Sequence, residues 1–526
     1  MEQLPDQIKM SVQSVAESVA QSDQMLDNDD YLSSRRSSPS RSFDSRRSSC
    51  SFNSTSSSTD LTYIPFLPTE IIIDIVDHFR LPVLAYGHKV PPADYLILRT
   101  TLRNLCLSSV RFCSCAKPLL YETVIFYFGL GPIDVQLGNA YGNIVNLVLL
   151  IRTLITNPYS PGLIKNIICP VEIFGSKDIS KDHQVLFDTA RDEPDIPGMD
   201  TELGWFGFFN AQRLMAMLLC LAVNIEYLHL HLTDGYGYTL LFEIITTYED
   251  YSGTPTFDRL SAVSLHRDCG FSVGGARQNT ELFYLGSKIS SLRVWRNMGR
   301  HVFRDGMEFV HNLQELRLVG YVNARDVFKI CQRAPILRDL TLIISEPGDL
   351  ELDIPPEEYD LNHALARRAD TLKELELRIY KYHLYLSQLG VNGRLECLPM
   401  LENLQNLTIE LPIIFDLIAE PTESEILACL PPNLVWLHLV EEYQNMGYDR
   451  GLDLHLNYLI NKLLVQFAFM PSSQLRRLQH LRYRYRPVNT STPPTALSEI
   501  HGMFGYNELT FSYQPDDFCD VYCVPP

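Results

Sequence analysis

The chain has 526 residues and a formal net charge of −19, from 44 Lys and Arg against 63 Asp and Glu. An excess this negative argues against a general nucleic-acid binder and against a protein of anionic membrane surfaces, because both contact polyanions through cationic patches. The first 30 residues contain no continuous apolar stretch, and the longest apolar run, Leu214 to Val223, is too short to cross a bilayer. We therefore expect a cytoplasmic or nuclear protein without membrane or nucleic-acid partners.

Residues 1–60 have the composition of a disordered tail. Between Ser33 and Asp60, 14 of 28 residues are serine and five are arginine, and such a segment buries too little apolar surface to offset its chain entropy. Four serines that closely follow paired arginines are predicted phosphorylation sites, because an acidic kinase groove grips paired arginines. They are Ser37, Ser38, Ser48 and Ser49. The alternative is a solvated linker in which these serines have no special role.

Residues 63–128 predict a small all-α module. In the segment from Leu67 to Phe79, a proline stands in the first turn and apolar residues recur at helical spacing. The segment from Leu96 to Phe128 favours two further helices and a β-branched exit strand. An ordinary helical cap on the rest of the chain is the alternative interpretation of this module.

Three motifs of the module occur in order: Leu67-Pro68-x-Glu70-Ile71-Ile72, then Leu107-Ser108-Ser109-Val110-Arg111-Phe112, then Pro118-Leu119-Leu120-Tyr121-Glu122. Together they resemble an F-box of the fungal type, over about residues 63–128. The resemblance implies a module that binds the Skp-type adaptor of a cullin ubiquitin ligase. The adaptor contacts expected on this basis are Leu67, Pro68, Ile71, Ile72, Ile75, Leu102, Leu105, Val110 and Phe112.

The remainder of the chain repeats one frame, apolar-x-x-apolar-x-apolar. The frame occurs nine times at an average interval near 32 residues, beginning at Ile225, Leu260, Ile289, Leu313, Leu337, Leu372, Leu404, Leu434 and Leu478. One strand and one return helix per repeat do not bury their own leucines, so the units must stack. We predict an α/β fold, a leucine-rich-repeat solenoid over residues 129–503. Residues 129–224 are expected to supply irregular first repeats with an N-terminal cap, and 504–526 a C-terminal cap.

Side chains alternate along a strand, so the residues that flank the central leucine of each frame face away from the leucine core. On the expected concave surface, Trp and Arg are the residue types that dominate binding hot spots. The predicted substrate contacts are Arg293, Trp295, Arg317, Trp436, His438, Arg482 and Arg484. Ordinary polar strand residues are the alternative. Arg482, Arg484 and Arg486 also form a candidate anion-binding strip. His229, His231 and His266 would be neighbours on adjacent strands, but no fourth ligand is evident for a zinc site.

Motifs for catalysis and cofactors are missing from the sequence. No G-x-S-x-G, H-E-x-x-H or P-loop motif occurs, and the 12 cysteines include no CxxC pair. We therefore expect a non-catalytic protein without metal or cofactor. The resemblance implies a substrate-recognition subunit of a Skp–cullin–F-box ubiquitin ligase, whose partners are the adaptor, the cullin core and an unidentified protein substrate. The alternative is an interaction scaffold with no ligase role.

Overall fold

A computed structural model provides the structure of the protein. The residues that it describes all belong to one compact unit, Leu67–Pro526, and Met1–Phe66 form the other unit. The described residues are 67–81, 93–126, 146–157, 159–169, 207–232, 239–253, 256–267, 286, 288–297, 308–320, 322, 324–344, 360–379, 395–414, 422–440, 450–470, 477–485, 495–506 and 509–515. The predictions for the tail, including its four serines, therefore lie outside the described residues.

The chain begins its described part with a three-helix bundle. Its helices are α1 (Thr69–Asp77), α2 (Ala93–Ser108) and α3 (Val110–Glu122). Ser109 separates α2 from α3 and caps the latter, because its hydroxyl accepts a hydrogen bond from the Phe112 N–H. The bundle has its own apolar core, formed by Ile72, Val76, Leu81, Tyr95, Leu102, Ala116 and Leu119 together with Ile125 and Ile168.

The described residues form twelve parallel strands in a single sheet whose strand order equals the chain order. They are β1 (Thr123–Ile125), β2 (Asn166–Cys169), β3 (Tyr227–Leu232), β4 (Ala262–Arg267), β5 (Ser291–Asn297), β6 (Glu315–Gly320), β7 (Asp339–Ile344), β8 (Glu374–Ile379), β9 (Asn406–Glu410), β10 (Trp436–Val440), β11 (His480–Tyr485) and β12 (Thr510–Pro515). The nine predicted frames are β3 to β11, and this part of the prediction is confirmed. The three remaining strands, at the two ends of the sheet, have no counterpart among the frames.

The register keeps equivalent residues side by side through all nine frames. The central position of each frame forms one continuous row, made of Leu228, Val263, Leu292, Leu316, Leu340, Leu375, Leu407, Leu437 and Leu481. These side chains join one core with apolar residues of the return helices. Because each row continues from strand to strand, no single unit has to bury its leucines alone.

Helices return the chain between strands. Beyond the bundle they are α4 (residues 146–156), α5 (Gly207–Leu221), α6 (Thr239–Ser252), α7 (Ala324–Arg333), α8 (Leu361–Ala366), α9 (Leu411–Ile414), α10 (Glu423–Cys429), α11 (Arg450–Phe469) and α12 (Thr495–Met503). The helices α7 and α8 fit the expectation of one return helix per repeat. Short 3₁₀ turns occupy Pro161–Leu163, Glu308–Asn312, Leu398–Met400 and Phe504–Tyr506.

An asparagine directly before the frame ties neighbouring turns together at three places. Asn403 Nδ2 donates to the Asp370 carbonyl at 2.7 Å, and Asn433 Nδ2 donates to the Glu402 carbonyl at 2.7 Å. Asn224 makes the same kind of bond to Gly162. Each bond satisfies a turn carbonyl that no strand or helix pairs, so it fixes the spacing of successive units.

The bundle and the sheet share a core at β1 and β2. Val124 packs into the leucine-side core, whereas Ile125 and Ile168 belong to the core of the bundle, and Tyr227 packs against them. Residues 123–125 thus belong both to the sheet and to the predicted 63–128 module. The bundle covers the first strands on the side opposite the leucines.

Candidate functional site

The bundle presents a solvent-facing apolar surface, here called the bundle surface. Its large apolar side chains are between 37% and 87% exposed, and they are Leu67, Ile71, Ile73, Ile75, Leu96, Ile97, Leu107 and Val110. Pro68 is exposed beside them. Ile71 and Ile75 lie one turn apart on α1 and so share a face. Exposed apolar side chains concentrated on a small helical unit mark an interaction site more often than scattered single ones do.

Two predicted adaptor contacts are in the wrong place for that role. Ile72 and Leu102 are 3% and 0% exposed and belong to the bundle core, so they stabilise the bundle and are inaccessible to a partner. Leu105 and Phe112 are half-buried against the same core.

The three consecutive isoleucines of α1 explain the error at Ile72. At 100° per residue they cannot share one face. Ile72 pairs with Val76 toward the interior, which leaves Ile71, Ile73 and Ile75 outside.

The side of the sheet opposite the leucines is here called the polar face. Register divides it into three rows that run across the strands. The first row contains Tyr227, Ala262, Ser291, Glu315, Asp339, Glu374, Asn406, Trp436, His480 and Thr510. The second contains His229, Ser264, Arg293, Arg317, Thr341, Glu376, Thr408, His438, Arg482 and Ser512. The predicted substrate contacts other than Trp295 and Arg484 lie in these two rows.

The third row, nearest the carboxyl ends of the strands, is largely buried. Val319, Ile343, Arg378, Glu410 and Val440 are each no more than 2% exposed. Arg378 Nε lies 2.9 Å from Glu376 Oε1, which links this row to the second. Access from solvent is therefore concentrated on the first and second rows.

Trp295 corrects the prediction of an exposed anchor. It occupies the position after Val294, where the β5–β6 register shifts, and it is only 3% exposed. Its indole Nε1 donates to Ser264 Oγ at 3.2 Å, and the Arg317 guanidinium carbon lies 4.5 Å from the ring centroid. These contacts make Trp295 and Arg317 a structural cation–π pair.

Arg293 is also held within the protein. Its Nη2 lies 2.7 Å from Glu315 Oε1, and its Nε donates to the same oxygen at 2.8 Å. The Ser291 hydroxyl donates to the other carboxylate oxygen. The predicted contacts on β5 and β6 are thus engaged by neighbours on the face itself.

The carboxyl-terminal strands carry an aromatic and cationic cluster, formed by Trp436, His438, His480, Arg482 and Arg484. Trp436 is 36% exposed and stacks on His480, with ring centroids 3.6 Å apart. His438 meets the same indole edge-on at 5.9 Å. The structure thus brings together Trp436, His438, Arg482 and Arg484 from the prediction, whereas Arg486 lies outside the described residues.

Positive and negative charges concentrate at different places on the polar face. Burial, reinforced by the positive charges of Arg484 and Arg482, lowers the pKa of His438 to about 4, so it is neutral at pH 7. On β7, burial and the negative charges of Glu374 and Glu315 raise the pKa of Asp339. The face therefore has an anionic centre and a cationic end.

The described residues offer neither a metal site nor a membrane-spanning helix. Within the described ranges, no His, Cys, Asp and Glu side chains form a group of three or more that could hold a metal ion. His229 is 2% exposed, and the side chains of His231 and His266 lie outside the description. None of the described helices combines the length and the apolar character that a membrane span requires.

No model of a known protein family matches the sequence, and no curated protein matches it.

Proposed function

We propose that this protein is a substrate-recognition subunit of a Skp–cullin–F-box ubiquitin ligase. In this proposal α1 to α3 are the F-box, the strand and helix units are a leucine-rich-repeat solenoid, and residues 1–60 are a disordered tail. The protein performs no bond chemistry. It holds the adaptor on the bundle and a substrate on the polar face, which raises the effective concentration of substrate lysines near the charged conjugating enzyme.

One observation carries the proposal: the bundle surface. Among the described residues, the bundle leaves eight large apolar side chains in solvent although it has a core of its own. Burying one such side chain contributes about 1.5–3 kcal/mol, so a partner that covers several of them gains substantial affinity. The resemblance of residues 63–128 to an F-box supplies the identity of that partner.

Co-expression with a Skp-type adaptor tests the proposal. Wild-type protein should co-purify with the adaptor. Ile71→Asp and Val110→Asp should each weaken capture at least about tenfold, since they place a carboxylate in the interface. Both residues are exposed, so the melting temperature of the free protein should change little.

Leu149→Asp is the matched control. Leu149 is 43% exposed on α4, outside the bundle surface, and its substitution should leave adaptor capture intact. If wild-type protein retains no adaptor, or if Leu149→Asp is as harmful as Ile71→Asp, the ligase role is wrong. A scaffold that uses the polar face alone would then be the better description.

A further inference from the structure

The centre of the polar face carries two carboxylates that no described cation contacts in an ion pair, although Arg338 and Lys373 act on Asp339 from a greater distance and partly offset the burial that raises its pKa. Asp339 and Glu374 are partners in the β7–β8 register. Among the described residues, Asp339 makes no side-chain hydrogen bond or ion pair. Glu374 is exposed and accepts a hydrogen bond from Asn406, which is uncharged. These two carboxylates differ in this respect from Glu315, which is neutralised by Arg293.

The carboxyl-terminal end of the same face carries positive charge. Arg482 lies beside His438 in the β10–β11 register, and it makes no hydrogen bond or ion pair to any described residue. Arg484 lies two residues further along β11. His438 Nε2 is buried without a hydrogen-bond partner. The charged groups that act on His438 are Arg484, Arg482, Arg378 and the single carboxylate Glu376, so cations exceed anions here.

An aromatic platform lies between the two charged places. Trp436 on β10 is held from one side by His480 and edge-on by His438, so its exposed part is fixed rather than free to rotate. A rigid, partly exposed indole loses little conformational entropy when an apolar side chain packs on it.

We propose that the polar face binds an extended segment of a protein substrate in which a basic and an acidic residue flank an apolar one. The basic side chain lies over Asp339 and Glu374, the apolar one packs on Trp436, and the acidic one pairs with Arg482. This inference rests on the proposed function only where it calls the bound segment a substrate. The charges and the platform define the same ligand whether or not the protein acts in a ligase.

Strand geometry fixes the spacing of the motif. Asp339 and Arg482 are four strands apart, which at about 4.8 Å per strand is about 19 Å. An extended peptide that crosses the strands covers about 3.3 Å per residue, so the two charged residues are about six positions apart. Trp436 lies one strand before Arg482, which places the apolar residue about two positions from the acidic one. Either chain direction satisfies this pattern.

Fluorescent peptides binding to the full-length protein test the motif. The probes are peptides of about twelve residues with one Lys, one Leu and one Asp in an otherwise Gly, Ser and Gln sequence. Lys and Asp are separated by about three, six or nine positions. Anisotropy should give the highest affinity at the spacing of six, by about tenfold over the other two, because only that spacing satisfies both charges.

Charge reversal identifies the contacts. Arg482→Glu should weaken the spacing-six peptide about tenfold, and a peptide with Lys in place of its Asp should recover the loss. Asp339→Lys should also weaken binding of that peptide, and a peptide with Asp in place of its Lys should recover the loss. Arg477→Glu is the control, since Arg477 is exposed in the turn before β11 and outside the polar face.

The inference is overturned if affinity does not depend on spacing, if neither reversal is rescued, or if no peptide binds. Adaptor capture is measured on the same preparations. Capture without rescue rejects the motif and leaves the ligase proposal standing. Rescue without capture does the reverse.

Discussion

Trp295 and Trp436 both point away from the leucine core, yet they occupy different environments. Trp295 is enclosed between Ser264 and the Arg317 guanidinium, whereas Trp436 leaves 36% of its surface in solvent. A buried indole contributes to folding through its whole surface, and an exposed one contributes to binding. We therefore expect different roles for two tryptophans that the strand pattern places on one surface.

Alanine at each position should separate these roles. Trp295→Ala should lower the free energy of unfolding by about 3–5 kcal/mol, since it opens a cavity and removes a cation–π contact. Trp436→Ala should change it by less than about 1 kcal/mol and reduce peptide binding instead. Chemical denaturation gives both values. Equal losses from the two variants would show that Trp436 is also part of the core.

Asp339 makes stability depend on pH. Its pKa is raised in the folded protein above the ordinary value of 3.8 by burial, Glu374 and Glu315. Between the two values the folded state holds more protons than the unfolded state, so stability falls as pH rises through that window. Below the window both states are protonated and the penalty disappears.

Asp339→Asn should therefore raise stability at pH 7. Because the carboxyl is partly exposed, the gain should be about 1 kcal/mol or less. The difference from wild type should vanish below the unfolded pKa near 3.8. Melting curves from pH 3 to 8 measure it, and Thr341→Ala, in the second row of the same strand, should show no such pH dependence. A constant difference at every pH would contradict the assignment.

At the scale of elements, the spacing of the apolar residues predicts the strands. Leu340 and Leu342 recur in the same frame as Leu407 and Ile409, and both frames are strands in a common register. A leucine-rich form of the frame is missing at β1, β2 and β12. At β2 the frame positions hold Ile164, Ile167 and Cys169, and at β12 an acidic residue, Glu508, stands three positions before Phe511.

The candidate site is less predictable than the strands. Alternation shows that Trp295 faces away from the leucines, but it does not show which neighbours enclose it. Alternation likewise does not show that Ile343 and Val440 in the third row are buried. Contacts between side chains that are distant in sequence determine the burial of these residues, and the local sequence pattern does not predict such contacts.

At the scale of the whole molecule, the helical bundle is continuous with the sheet. The Phe126 N–H donates to the Ile168 carbonyl, and the Lys165 N–H donates to the Glu122 carbonyl. Glu122 also pairs with Arg80 and Lys165. The boundary predicted at residue 128 would cut through this junction, because β1 and the core residue Ile125 lie before it.

Two truncations test this continuity. Removal of residues 1–128 should destabilise the remaining chain, because it exposes Ile168 and Tyr227 and leaves β2 as an unpaired edge that is prone to aggregate. The full protein should unfold through one transition that includes the bundle, and the truncated chain should melt lower and self-associate. Removal of residues 1–60, which the composition predicts to be dispensable for folding, is the control and should leave the melting temperature unchanged.

If the chain without residues 1–128 is monomeric and as stable as the full protein, the bundle is an independent domain. In that case the cluster of Ile125, Ile168 and Tyr227 contributes nothing to the stability of the sheet.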